Sequence, residues 1–312
     1  MLGGIYINIE FLTKDNFESW IPSFCRLYSK SFPEKTDEEK IRQRYISNPA
    51  DELLMCVAID NGEIIANYSA LPITICFNSN EYKCAISLNT MTDPQYAGTG
   101  LFTKLAELLY SSLKNKGYSF IYGFPNNVSN RTFVSKLGWK DIYEISTLQY
   151  EIEKNVLYDY FDINDIKTGL PMNFSIDIVD SLFVKKSFEY IKWRYLDNAI
   201  YKYQYINIDD FNWAIYKYYD EYVNIVELHT ISISAFKQLI SYIINIAKKS
   251  GYKYITIWER INTDKHICLE KMGFINKGPI RYFAAKKLNE FNLPDIYNYD
   301  NWSICMGDDN VY

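Results

Sequence analysis

Histidine is scarce in this chain: His229 and His266 are the only two in 312 residues, too few for a typical zinc centre. The six cysteines contain no Cys-x-x-Cys pair, which removes the commonest thiolate metal and redox motifs. Cys56, Cys76 and Cys84 sit in apolar strand-like stretches, Cys25 and Cys268 in helix-like ones, and Cys305 near the end. Reduced, buried thiols in a cytoplasmic protein without a metal are therefore expected. No apolar run approaches the length of a membrane-spanning helix. The opening ten residues lack the basic stretch and cleavage pattern of a secretory signal, so none is expected. Lysine and arginine never run beyond pairs such as Lys185-Lys186 and Lys248-Lys249, and the net charge is −5. Neither a nucleic acid nor a membrane is an expected partner.

What is present is an ordinary globular composition, 48% hydrophobic and 23% charged, over a length that accommodates two domains. Tyrosine is abundant, with 29 residues. Two readings stand: codons of an A- and T-rich genome, or an aromatic floor for a sugar built from Tyr201, Tyr203, Tyr205, Trp213, Tyr216, Tyr218 and Tyr219.

The richest segment runs from Ser87 to Phe102. A β-rich run ends at Asp93-Pro94, a loop with Gly98 and Gly100 follows, and an amphipathic helix begins at once. Its apolar face is expected from Leu101, Phe102, Leu105, Leu108, Leu109 and Leu113. Such a join aims unpaired backbone N–H groups at one point, at the positive end of a helix dipole, where phosphate binds. Thr103 stands where a dinucleotide fingerprint needs its third glycine, and no Gly-Lys-Ser/Thr follows, so neither that motif nor a Walker loop is present.

The register Pro94-x-Tyr96-x-Gly98-x-Gly100-Leu101-Phe102 resembles motif A of the GNAT superfamily of acyl-CoA-dependent N-acyltransferases. Ala97 occupies the place of the family's usual arginine or glutamine, and Phe102 that of a small residue. Downstream, Tyr118 to Phe124 reads as a strand, and Pro125 to Trp139 resembles motif B: an Asn-led helix ending in Lys136-Leu137-Gly138-Trp139. Leu53 to Ile59, Asn61-Gly62 and Glu63 to Phe77 form a hairpin. The resemblance implies an α/β fold of mixed, mostly antiparallel twisted sheet flanked by helices. It also implies acetyl-CoA as co-substrate, held by Met91 and Thr92 on the strand edge, by the amides of Ala97, Gly98, Thr99, Gly100, Leu101 and Phe102, and by Asn127.

Segments recur along the chain. The Arg44-Tyr45 pair returns as Arg194-Tyr195, 150 positions on; Gly117-Tyr118 returns as Gly251-Tyr252, and Lys136 to Trp139 as Lys271 to Phe274. Ordered recurrence indicates an internal repeat. Two GNAT-type domains are expected, at 1–150 and 165–288, followed by a tail at 289–312. The second copy runs from Glu227 to Ser234 straight into its helix without a glycine, so it is expected to be degenerate and not to bind CoA. A fragment of residues 1–160 is expected to bind CoA but to lose transfer activity or solubility.

Amide formation needs a base for the amine and an acid for the departing thiolate. The strand Ala85 to Thr92 has no ionisable side chain, and Val134 and Leu269 occupy the position of the family's usual acidic tyrosine. Tyr122 is either a stand-in acid or a core residue. The chain also resembles tandem GNAT proteins of polysaccharide biosynthesis and the enhanced-intracellular-survival acetyltransferases, whose base is the C-terminal carboxylate. If the tail folds back over the first copy, that resemblance implies the Tyr312 carboxylate, with Asp308 and Asp309 beside it, as a base acting on the amine through a water; the other reading is an acidic, solvated terminus. The function implied is N-acetylation of a primary amine of a small molecule, such as an amino sugar. Aminoacyl or long-chain acyl transfer, and a CoA- or metabolite-binding module without catalysis, are the alternatives. The oligomeric state is left open.

Overall fold

A computed structural model describes residues 7–33, 36–152, 165–176 and 180–309. The chain opens with β1 (Asn8–Leu12), α1 (Lys14–Ser31), α2 (Glu38–Tyr45), β2 (Leu54–Asp60), β3 (Glu63–Phe77) and β4 (Asn80–Thr92). Then come α3 (Leu101–Asn115), β5 (Phe120–Gly123), α4 (Asn127–Leu137), β6 (Lys140–Ile145) and β7 (Leu148–Glu151). The second half holds β8 (Lys167–Thr168), β9 (Phe183–Val184), α5 (Phe188–Ile191), β10 (Tyr203–Asn207), β11 (Trp213–Tyr219) and β12 (Tyr222–His229). It closes with α6 (Ile233–Lys249), β13 (Tyr254–Ile257), α7 (Asp264–Lys271), β14 (Ile275–Asn276) and β15 (Arg281–Lys287). No helix among the described residues is long and apolar enough to cross a membrane.

One sheet runs β1-β2-β3-β4-β5-β15-β6 and the other β14-β7-β13-β12-β11-β10-β8. Both are mixed, mostly antiparallel, with helices packed on them. The last strand of each copy sits in the other copy's sheet: β15 lies between β5 and β6, and β7 between β13 and β14. The compact units follow this exchange. One comprises 1–143, 187–200 and 282–299; the other comprises 144–186, 201–281 and 300–312. These limits cut across the contiguous segments expected at 1–150, 165–288 and 289–312, because β15 pairs with β5 through Ala284↔Gly123 to Lys287↔Phe120. Phe283, Ala284 and Ala285 are thereby fully buried.

Within the first unit the repeated Arg-Tyr segments hold each other. The Gln43 amide donates to the Trp193 carbonyl (2.6 Å), and the Trp193 indole donates to the Gln43 carbonyl (2.7 Å). These residues are repeat equivalents, 150 positions apart.

Each unit has its own core. In the first, α3 contributes Leu101, Leu105, Ala106, Leu109, Tyr110 and Leu113, while Leu108, expected inside, is exposed. Leu105, Leu109 and Leu113 lie at four-residue spacing, and Ala106 and Tyr110 share the inner stripe beside them. In the second, Phe236, Leu239, Ile240, Ile243 and Ile244 of α6 pack on β11, β12 and β13. Of the aromatic residues weighed as a sugar floor, Tyr203, Trp213 and Tyr216 are buried, Tyr201, Tyr205 and Tyr218 half-buried, and Tyr219 exposed.

Candidate functional site

The site of the first unit is built where two parallel strands part. Strand β4 pairs with β5 only at Ala85↔Ile121 and Ile86↔Tyr122, and β5 ends at Gly123 while β4 continues to Thr92. Farther along β4 there is a bulge: Asn67↔Met91 is followed by Ser69↔Leu88, so Asn89 and Thr90 together oppose Tyr68. Asn89 takes the left-handed region, φ 47°, which asparagine tolerates better than most residues. Bulges bend a strand and re-aim its edge.

A buried polar network fixes this bend. The Asn89 amide donates to the Tyr45 hydroxyl (2.9 Å), which lies 2.9 Å from Ser69 Oγ. Ser69 Oγ donates to the Leu88 carbonyl (3.0 Å), and the Asn67 amide donates to the Asn89 carbonyl (2.7 Å). Burial pushes the Tyr45 phenol up to about 12, so it stays protonated and can donate. A second network lies beneath: Trp139 Nε1 donates to the Tyr110 hydroxyl (2.8 Å), which is 2.6 Å from that of Tyr68, itself the acceptor for Ser87 Oγ (3.1 Å). Nothing in the local sequence pattern marks Tyr45, Asn67, Ser69 or Asn89 as a set, since they come from three elements.

The loop is tied down at each end. The Asp93 carboxylate accepts from the Gln95 amide (3.0 Å) and pairs with Lys30 (2.6 Å). The bond from Lys30 holds this carboxyl below its usual value, so Asp93 is committed and not a free base. The Tyr96 hydroxyl donates to Asp60, and Thr99 Oγ1 donates to the Tyr96 carbonyl (2.6 Å).

Between these anchors the backbone turns through Gly98 (φ 77°) and Gly100 (φ 82°) into α3. No atom lies within 4 Å of a Cβ built at either glycine, so they serve the left-handed turn and leave open space above it. Of the six amides expected to face an anion, that of Ala97 instead donates to the Pro94 carbonyl (3.2 Å), and that of Thr99 approaches the Tyr96 carbonyl (3.4 Å). Those of Gly98, Gly100, Leu101 and Phe102 have no acceptor among the described residues. They meet the requirement of a pyrophosphate: several N–H donors at a helix N-terminus with no side chain in the way.

The Phe102 ring turns inward against Tyr68 and Phe133 (centroids 5.8 and 5.6 Å). Its bulk is absorbed by the core and does not cover the loop. Asn127 is exposed at the first turn of α4, and the cap itself is Asn126, whose Oδ1 accepts from the Ser129 amide (2.9 Å). Met91 is buried and Thr92 half-buried, paired with Asn67 and Ala66.

The acid–base candidates lie elsewhere. Tyr122 is fully buried, its ring packed against Phe120, Phe124 and Phe283, the setting of a core residue. Tyr312 lies outside the described residues. Asp308 and Asp309 belong to the second unit. The Asp308 carboxylate pairs with Lys186 (2.5 Å), and Asp309 lies 3.8 Å from Arg281. Lys186 also pairs with Glu227 (2.7 Å), and Glu227 lies 2.9 Å from His229 Nε2. Glu227, Cys305 and Asp308 thus bring together three possible metal ligands, but the Lys186 ammonium already spans both carboxylates. The His229 ring packs tilted against Trp213 (centroids 4.3 Å, 33° between planes).

Residues 9–142 match the family model of the acetyltransferase (GNAT) domain. No curated protein matches the sequence. Among solved structures, a GCN5-related N-acetyltransferase from Kribbella flavida aligns over 91% of this chain and 72% of its own, at 12% identity and a TM-score of 0.67. Another from Anabaena variabilis aligns over 91% and 73%, at 12% identity and 0.66. Eis1 from Mycobacterium abscessus aligns over 91% and 74%, at 14% identity and 0.62. Residues 9–142 are thus similar to the acetyltransferase (GNAT) domain, and over 91% of its length the chain has a fold similar to that of these structures.

Proposed function

We propose that the chain is an acetyl-CoA-dependent N-acetyltransferase acting on a primary amine of a small molecule, such as an amino sugar. The observation that carries this reading is the set of unoccupied amides at Gly98, Gly100, Leu101 and Phe102, aimed from the start of α3 beside the splayed β4. When bound, acetyl-CoA supplies an activated acyl group as a thioester. The loop amides would hold its pyrophosphate, the bulged edge of β4 near Met91 and Thr92 its pantetheine arm, and Asn127 would reach the same arm. Gly98 and Gly100 keep side chains out of that space. The stretch of β4 from Ala85 to Thr92 carries no ionisable side chain, so the amine loses its proton to solvent or to the Tyr312 carboxylate. Rate enhancement then rests mainly on holding the amine and thioester in reach of one another.

The second reading, a CoA-binding module without catalysis, is favoured by the burial of Tyr122 and the commitment of Asp93 to Lys30. Acetyl transfer from acetyl-CoA against a panel of amines separates the two. The cofactor site has its own test. Gly100→Asp places a strained side chain and a negative charge against the pyrophosphate, and is expected to weaken CoA binding by calorimetry at least tenfold, about 1.4 kcal/mol. Undiminished affinity would show that the loop does not hold the cofactor.

A further inference from the structure

The second unit has a parallel pair of its own. Strands β12 and β13 are in register from Tyr222↔Tyr254 to Ile225↔Ile257, after which β12 continues unpaired on that side to His229. A cavity of about 270 Å³ occupies the gap. Its walls include the buried indoles of Trp258 and Trp302. Lys186 lines it too, but that ammonium is already held by Glu227 and Asp308. Asp308 is saturated further by the Cys305 amide (2.9 Å).

Three other polar groups around the cavity are less fully engaged. Thr230 Oγ1 is buried and has no hydrogen-bond partner among the described residues. The Arg260 guanidinium donates to the Asp300 carbonyl (2.5 Å) and joins no ion pair among the described residues. The Lys265 ammonium lies 5.8 Å from the centre of the Phe236 ring and likewise has no ion pair. The remaining carboxyl, Glu259, accepts from Thr263 Oγ1 (3.0 Å), and burial shifts it toward its neutral form. Glu259 interacts electrostatically with both Lys265 and Arg260, and the start of α6 at Ile233, just past Thr230 and Ile231, adds positive character.

A buried hydroxyl without a partner is costly, and half-buried cations with no close ion pair are available to an added anion. We propose that this cavity is a second ligand site, for a compact anion, carboxylate or phosphate, with a flat apolar body. Arg260, Lys265 and Thr230 meet the anionic end, and Trp258 and Trp302 meet the body. The volume falls just below the ~300–1,000 Å³ of sites for drug-sized ligands, which suits a small molecule and not a nucleotide cofactor. This inference stands apart from the acetyltransferase reading and survives its failure.

Tryptophan fluorescence of the full chain, titrated with benzoate, phenyl phosphate and neutral benzamide, tests it. At least one of the two anions should give a saturable response at low millimolar concentration or below, with benzamide on the order of tenfold weaker, as expected for loss of a charge-assisted hydrogen bond. Arg260→Gln and Lys265→Met should each weaken the anion about tenfold and leave benzamide unchanged. Thr230→Val, which removes the orphan hydroxyl, should hold or raise the melting temperature yet still weaken the anion. Overturning results are no response to either anion, equal binding of benzamide, or unchanged affinity in all three variants. A second equivalent of CoA that is lost in Arg260→Gln would assign the cavity to the cofactor and overturn the proposal as well.

Discussion

Glu52 shows how a single residue sets a pH limit on this protein. Burial alone would raise its carboxyl, but bonds from Lys83, Tyr118 and Lys116 outweigh it and bring the group from 4.5 down to about 2. A depressed carboxyl stabilises the fold fully above the unfolded value, and that contribution fades as pH falls toward the folded one. Glu52→Gln should therefore lose less stability than the parent between pH 5 and pH 2, in urea titrations across that range. An equal acid limb in both would mean Glu52 titrates as an ordinary surface group. Lys186 carries a larger stake, because it neutralises two carboxylates that are almost wholly buried. Lys186→Met leaves Glu227 and Asp308 uncompensated and should cost about 3–5 kcal/mol in chemical denaturation, the range for breaking a buried ion pair. A loss under 1 kcal/mol would mean that the cluster rearranges freely.

At the scale of the element, the bulged end of β4 is what turns a strand into a cofactor edge. Its bend depends on Tyr45, which comes from α2 and is far away in sequence. Tyr45→Phe keeps the ring in its aromatic cluster with Phe17 and Phe24 but leaves the Asn89 amide without its acceptor. A cost of about 1–3 kcal/mol is expected in thermal unfolding, with several-fold weaker CoA binding as the edge loses definition. Full retention of both would detach Tyr45 from the site. This is also where the sequence stops being legible. Gly98, Gly100 and the leucine spacing of α3 are local signals, read from neighbours along the chain, and they located the loop and its helix. The bulge is a long-range product of Tyr45, Asn67, Ser69 and Asn89, and no local pattern joins them. Leu108 was misplaced for a related reason: the apolar face counted by spacing is wider than the stripe that the sheet covers, and Ala106 and Tyr110 supply the inner contacts instead.

For the whole molecule, the repeat was visible in ordered recurrences such as Arg44-Tyr45 and Arg194-Tyr195, but the exchange of strands between copies was not. An antiparallel strand of seven residues carries no mark of which sheet it joins. Arg281–Lys287 follows the second copy in sequence and lies between β5 and β6 in space. The loss of activity or solubility expected of residues 1–160 thereby gains a physical cause, and loss of CoA binding is expected with it. That fragment lacks β15, and with it the partner of β5 at Phe120 to Gly123 and the buried Phe283, Ala284 and Ala285. It also lacks Trp193, whose indole and carbonyl satisfy both polar groups of the Gln43 contact. Loss of one buried phenylalanine alone costs about 3–5 kcal/mol, a large share of the 5–15 kcal/mol that holds a typical domain. The fragment should be insoluble or show no cooperative thermal transition by circular dichroism, and should not bind CoA. Adding residues 187–200 and 282–299 through flexible linkers should restore a cooperative transition. If residues 1–160 alone melt cooperatively and bind CoA like the full chain, β15 is an accessory strand, and the first copy folds by itself.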